Sequence, residues 1–172
     1  MNKRKSFIKP GIILVISTMT LFLGCPSNQE QRQSKKGSID FTLNTIEGQE
    51  ISLKDYQGKK IVHLVFWATW CPSCIGEIPK LKKLHQAIGN KPYEILAIDV
   101  GVNDSLRKVK IFQERHQMPY KVLFDEKGDV SRKYGVMGIP TQIIIDKKGN
   151  IQNQFTQLPE DLKGYLNQFF PG

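Results

Sequence analysis

Cys71 and Cys74 stand two residues apart, directly after an apolar run that ends in Phe66 and Trp67. Ile61 to Phe66 is apolar and largely β-branched except for His63, the pattern of an inner strand buried on both faces. Pro72 fits the first position of a helix, where its missing N–H costs nothing. Cys71 therefore falls at a helix N-terminus, where unpaired N–H groups and the helix dipole favour a thiolate. With Cys74 within disulfide reach, the chemistry this arrangement suits is thiol–disulfide exchange. A static disulfide would leave the tryptophan-rich approach, Trp67 and Trp70, without a role. Zinc needs about four ligands, and there is no second cysteine pair. His63, His85 and His116 are dispersed, so no metal site is expected and no cofactor is called for. His63 reads as a packed, satisfied strand residue, and His85 and His116 as helix-surface residues.

The elements that must hold these cysteines follow from the periodicity. Phe41-Thr42-Leu43 and Ile51-Ser52-Leu53 flank Glu47-Gly48 and predict a small hairpin, followed by a turn at Asp55–Gly58. Ile75, Ile78, Leu81, Leu84 and Ile88 recur at helical spacing, which predicts a helix from Pro72 to Ile88, closed by Gly89-Asn90 and kinked at Pro79. Strands are expected at Tyr93–Val100, Tyr120–Phe124, Thr141–Asp146 and Ile151–Phe155. Helices are expected at Asp104–His116, Asp129–Tyr134 and Glu160–Phe170. Strands alternating with helices, then a terminal hairpin, argue for an α/β domain with a mixed sheet.

The first 24 residues read differently from the rest. Lys3, Arg4, Lys5 and Lys9 precede an apolar run from Gly11 to Leu23, the pattern of a secretory signal. The run is shorter than the roughly 20 apolar residues of a membrane span. Its ending, Leu21-Phe22-Leu23-Gly24-Cys25, resembles the bacterial lipobox, with Phe22 where that motif prefers Leu. That resemblance implies cleavage after Gly24 and lipidation of Cys25; the competing readings are ordinary signal cleavage and an uncleaved anchor. Residues 25–38 are polar and read as a flexible tether, leaving residues 39–172 as the domain. The net charge of +9 belongs partly to the leader: setting those four basic residues aside leaves 21 Lys and Arg against 16 Asp and Glu. These are scattered rather than striped, which excludes a nucleic-acid surface.

Trp67-Ala68-Thr69-Trp70-Cys71-Pro72-Ser73-Cys74 resembles the active site of the thioredoxin fold, and Gly138-Ile139-Pro140-Thr141 resembles its cis-proline loop. Asp40 through Lys59 is similar to the extra N-terminal hairpin of the TlpA/ResA branch. So is the run Cys71, Cys74, Glu77, Pro79. The resemblance spans Asp40 to Phe170. It implies a thioredoxin fold, with a central mixed sheet flanked by helices and that added hairpin. It implies an extracytoplasmic, membrane-tethered thiol–disulfide oxidoreductase, on the periplasmic or cell-envelope face. The partners implied are disulfide- or thiol-bearing client proteins, as in cytochrome c maturation, and a membrane thiol donor of electrons.

On this reading Cys71 is the nucleophile and Cys74 the resolving thiol. Val65 occupies the central-strand place where typical thioredoxins have a buried acid, so Glu77, one helical turn after Cys74, takes over as proton acceptor. Its alternative is an ordinary solvated helix glutamate. Pro140, if cis, opens the backbone of Ile139 to an extended client, with Ile139 and Trp70 as apolar contacts. Two other activities compete. A thiol peroxidase needs a proline seven residues, and a threonine or serine three residues, before its cysteine; Leu64 and Ala68 stand there instead. A copper-delivering chaperone would use the same two thiols.

Overall fold

Residues 37–171, which the computed structural model describes, form seven strands and four helices. The readings at the leader, at Cys25 and over most of the tether lie outside these residues. No helix among the described residues is long and apolar enough to cross a membrane.

The main sheet is built around β3 (Ile61–Trp67), whose seven residues are all buried. Both of its faces are covered, which is why its sequence is a continuous apolar run and not an alternation. β3 pairs in parallel with β4 (Tyr93–Asp99), and β4 in parallel with β5 (Lys121–Phe124). Parallel neighbours need crossovers, supplied by α1 (Pro72–Ile88) and α2 (Leu106–His116). On the other side of β3 lies β6 (Thr141–Ile145), antiparallel, and then β7 (Ile151–Phe155). The strand order is β5-β4-β3-β6-β7. With α3 (Asp129–Lys133) and α4 (Leu162–Asn167) added, this is the expected thioredoxin-like mixed sheet flanked by helices.

The extra hairpin is present. β1 (Thr42–Asn44) and β2 (Glu50–Ser52) pair antiparallel, with Leu43 opposite Ile51. Its loop docks on β5, where Ile46 N–H donates to Val122 O at 2.9 Å. The contact covers part of a sheet edge that would otherwise offer unpaired backbone. Residues 37 and 38, read as the end of the tether, pair with the β6–β7 turn: Ser38 N–H donates to Gly149 O at 2.7 Å. A 3-10 turn over Leu53–Tyr56 precedes β3 where a simple turn was expected. Two helices are shorter than their periodicity suggested. α2 begins only after Ser105, whose hydroxyl caps Lys108 N. α4 is confined to 162–167 because Asp161 caps its start and Phe169 and Phe170 leave it to pack on Tyr93.

α1 carries the site. Cys71 is its N-cap and Pro72 its first residue. Cys74, Glu77, Ile78, Leu81, Leu84 and Ile88 form its buried stripe, at spacings of three and four. The helix continues through Pro79, which is exposed. β6 runs back along β3 so that Thr141 pairs with Phe66. That register sets the turn before β6, with Pro140, beside the end of β3 and therefore beside Cys71.

Candidate active site

Cys71 and Cys74 form a disulfide with Cα atoms 5.3 Å apart. Both are buried, at 4 % exposure each. Cys71 Sγ accepts the Cys74 backbone N–H at 3.2 Å, so an orphan donor of the first helical turn points at this sulfur. A thiolate on Cys71 would use the same donor, which favours that ionisation. Ser73 Oγ lies 3.4 Å from the same sulfur.

The Ile139–Pro140 peptide is cis, and Ile139 O lies 3.8 Å from Cys71 Sγ. Thr141 Oγ1 donates to Gly138 O at 2.6 Å and closes the turn. Trp70 is 46 % exposed and fixed by its indole N–H, which donates to Val102 O at 2.6 Å. Trp70, Val102, Val136, Met137, Ile139 and Arg132 line an open depression of about 270 Å³ next to the disulfide. Trp70, Val102 and Met137 are among the few large apolar side chains left exposed among the described residues. The structure thus brings Cys71, Trp70, Ile139 and Pro140 together.

Glu77 is not a solvated helix residue: only 5 % of it is exposed. It shares with Cys74, Val65 and Pro140 the lining of a gap of about 10 Å³. Its Oε2 accepts Leu158 N–H at 2.7 Å and Gln142 Nε2–H at 3.0 Å, while Oε1 faces Lys80 Nζ at 3.7 Å. Gln142 Oε1 in turn meets His63 Nε2 at 2.9 Å. The sequence reading passed over Gln142. The available signal was a long polar side chain in each of two largely apolar inner strands, His63 in β3 and Gln142 in β6. The register makes them neighbours, because Gln142 opposes Val65 and so shares a sheet face with His63. His63 is only half satisfied: its Nδ1 is buried without a hydrogen-bond partner. His85 is exposed and His116 half-buried. Among the described residues no group of three or more His, Cys, Asp or Glu could hold a metal ion.

A second missed feature lies behind Trp70. Asp104, whose side chain is fully buried, accepts Thr69 N–H at 2.8 Å, Thr69 Oγ1–H at 2.6 Å and Lys108 Nζ at 2.8 Å. These bonds tie the β4–α2 loop to the residue two before Cys71. Asp99, at the end of β4, accepts Gly101 N–H through Oδ1 at 2.9 Å, and no N–H or hydroxyl donor reaches its Oδ2. Burial pushes the Asp99 carboxyl up to about 8, and the neighbouring Asp104 charge adds to this, against the Gly101 N–H. Burial also opposes charge on Asp104, but bonds from Lys108 and Thr69 hold it below the ordinary carboxylate value. A proton on Asp99 thus lets the pair coexist in the interior. Because the folded state raises this pKa, Asp99 stabilises the fold fully below about pH 4 and loses that contribution as pH rises toward 8. Asp99→Asn cannot lose a proton. Urea midpoints at several pH values should therefore fall less steeply in the variant over this range; parallel curves would place the pH dependence elsewhere.

The sequence pattern of the AhpC/TSA family matches residues 36–154. The chain belongs to this family. Within it, the chain is 33 % identical to thiol-disulfide oxidoreductase ResA of Bacillus cereus over 99 % of its own length and all of that protein. It is 37 % identical to the thioredoxin-like protein YneN of Bacillus subtilis over 70 % of each chain. Among solved structures, one described as a thiol:disulfide interchange protein DsbE from Chlorobium tepidum superposes with a TM-score of 0.69. That match is 28 % identical and covers 79 % of this chain and 94 % of the other. Within the AhpC/TSA family, the thioredoxin-like fold and the Cys71–Cys74 pair make this chain a thiol–disulfide oxidoreductase.

Proposed function

We propose that the chain is a lipid-anchored, extracytoplasmic reductant of client disulfides, of the kind used in cytochrome c maturation. The observation that carries the exchange chemistry in this reading is the placing of Cys71: a sulfur at a helix N-cap, receiving an N–H, with the Ile139 backbone and an apolar depression beside it.

In the reduced protein the Cys71 thiolate attacks one sulfur of a client disulfide. A Cys71–client bond forms, and the other client sulfur leaves as a thiolate that takes a proton from solvent. Cys74 then gives its proton to Glu77, and its sulfur attacks Cys71 Sγ. The Cys71–Cys74 bond forms, the second client thiolate departs, and the client has gained two electrons. A membrane thiol donor returns two electrons to the pair by the reverse exchange. Trp70 and Ile139 flank the approach and favour a client with apolar residues beside its cysteine, while Pro140 ends the segment on which the client lies.

Anchoring rests on the sequence at Gly24–Cys25 after the basic opening and apolar run. Several acyl chains on one cysteine would hold the protein firmly at a membrane. Mass spectrometry of the mature N-terminus should find a diacylglyceryl-modified Cys25; an unmodified N-terminus elsewhere contradicts the anchor. Acid-quenched alkylation of cells should find Cys71 and Cys74 mostly reduced. A mostly oxidised pair would make the protein an oxidant.

A further inference from the structure

Gln142 and His63 are fully buried, yet nothing in the exchange steps above uses them. Their hydrogen bonds have a single consistent direction. Gln142 Nε2 lies 3.0 Å from Glu77 Oε2 and 3.3 Å from the Thr156 carbonyl. A carboxylate and a carbonyl only accept, so the amide nitrogen must face them and Oε1 must face His63. His63 Nε2 must then carry the proton. Burial pushes the His63 pKa down to about 3, against the Gln142 bond, so the ring is neutral and Nδ1 is bare. Donors thus run from His63 to Gln142 to Glu77.

The chain ends on the carboxylate that shares the small gap with Cys74. Glu77 Oε2 receives two N–H donors, from Gln142 and Leu158. With two donors already on Oε2 and only Lys80 Nζ, at 3.7 Å, near Oε1, Oε1 is the less engaged oxygen for an arriving proton. The charged groups facing Glu77 are Lys80 from its own helix and, through Lys80, Glu160 ahead of α4; His63 brings no charge. Stability does not account for the polar pair. Two apolar residues of similar shape would serve the core about as well, and the bare Nδ1 is itself a cost.

We propose that Gln142 is a positioning residue for Glu77: oriented by His63, it fixes the carboxylate so that Oε1 is the oxygen that takes the Cys74 proton. This rests on the exchange reading above, in which Glu77 is the acceptor.

The test is a double-mutant cycle on reduction of a protein disulfide, with Glu77→Gln, Gln142→Met and both together. Gln142→Met keeps the length and removes the donors. It should slow exchange by about tenfold, part of what a general base supplies. In the Glu77→Gln background it should add no more than about twofold, because the group it positions is gone. A wild-type rate for Gln142→Met, or costs that multiply in the double variant, overturns the proposal. An unaltered Glu77→Gln rate removes the acceptor and the positioning role together, whereas a wild-type chain that exchanges nothing contradicts the reaction itself. A second measurement needs no variant: the ring nitrogens of His63, read by NMR, should show the neutral Nε2–H tautomer throughout about pH 5 to 9. The Nδ1–H tautomer, or a titration in that window, is incompatible with the donor chain and overturns the proposal.

Discussion

Cys71→Ser should abolish disulfide reduction, and Cys74→Ser should convert the protein into a trap. The two sulfurs are not equivalent in their surroundings. Cys71 Sγ receives a helix N–H and lies against the Ile139 backbone, beside the depression formed by Trp70 and Met137. Cys74 faces inward, toward Val65, Pro140 and Glu77. An incoming disulfide therefore meets Cys71, and a hydroxyl there is too weak a nucleophile at neutral pH to replace a thiolate. In Cys74→Ser the first attack survives and the resolving attack does not, so the client stays bound through Cys71. Non-reducing electrophoresis of the variant with a disulfide-bearing client should show an adduct that dithiothreitol dissolves. An adduct in Cys71→Ser, carried by Cys74, would reverse the assignment.

The second large effect is on the fold. Gly101 has φ +73°, and a side chain there would run into the Asp125 carbonyl oxygen and lie 2.7 Å from the Glu126 carbonyl oxygen. Both obstacles are backbone, and Asp125 is itself pinned by its N–H to Asp99 O at 2.9 Å. Gly101→Ala should cost about 3 kcal/mol or more, from the clash and the left-handed backbone together. That is a large share of the roughly 5–15 kcal/mol a domain has. The same loop carries Val102 and Asp104, so exchange should weaken in any protein that remains folded. Gly76→Ala is the control: it lies inside α1 with open space around it, and should gain up to about 1 kcal/mol. Urea unfolding of the two variants tests this; a Gly101→Ala protein as stable as the parent would refute the packing argument.

Much of this was legible in residue types. The run Ile61–Trp67, Pro72 after Cys71, and the three-and-four spacing of Ile78, Leu81, Leu84 and Ile88 determine β3, the helix start and the buried stripe by local rules. The hairpin strands and β7 were equally readable. What was not legible depends on register and on pairs distant in sequence. His63 and Gln142 are 79 residues apart, and only the β3–β6 alignment makes them partners. Asp104 opens the helix expected over Asp104–His116, but α2 starts after its cap Ser105, and the Asp104 side chain instead holds Thr69. The burial of Glu77 follows from the segment after β7 folding over it to donate Leu158 N–H, which no periodicity in α1 reports.

The equilibrium of Cys71–Cys74 with a graded glutathione or dithiothreitol buffer tests the reductant reading most directly. The N–H received by Cys71 favours the thiolate and so the reduced form, while burial and the nearby Glu77 carboxylate oppose it. From these opposing effects the pair is expected nearer thioredoxin, at about −270 mV, than a dedicated oxidase, at about −120 mV. A measured potential close to the thioredoxin value is the predicted result. One as high as the oxidase's would contradict the account.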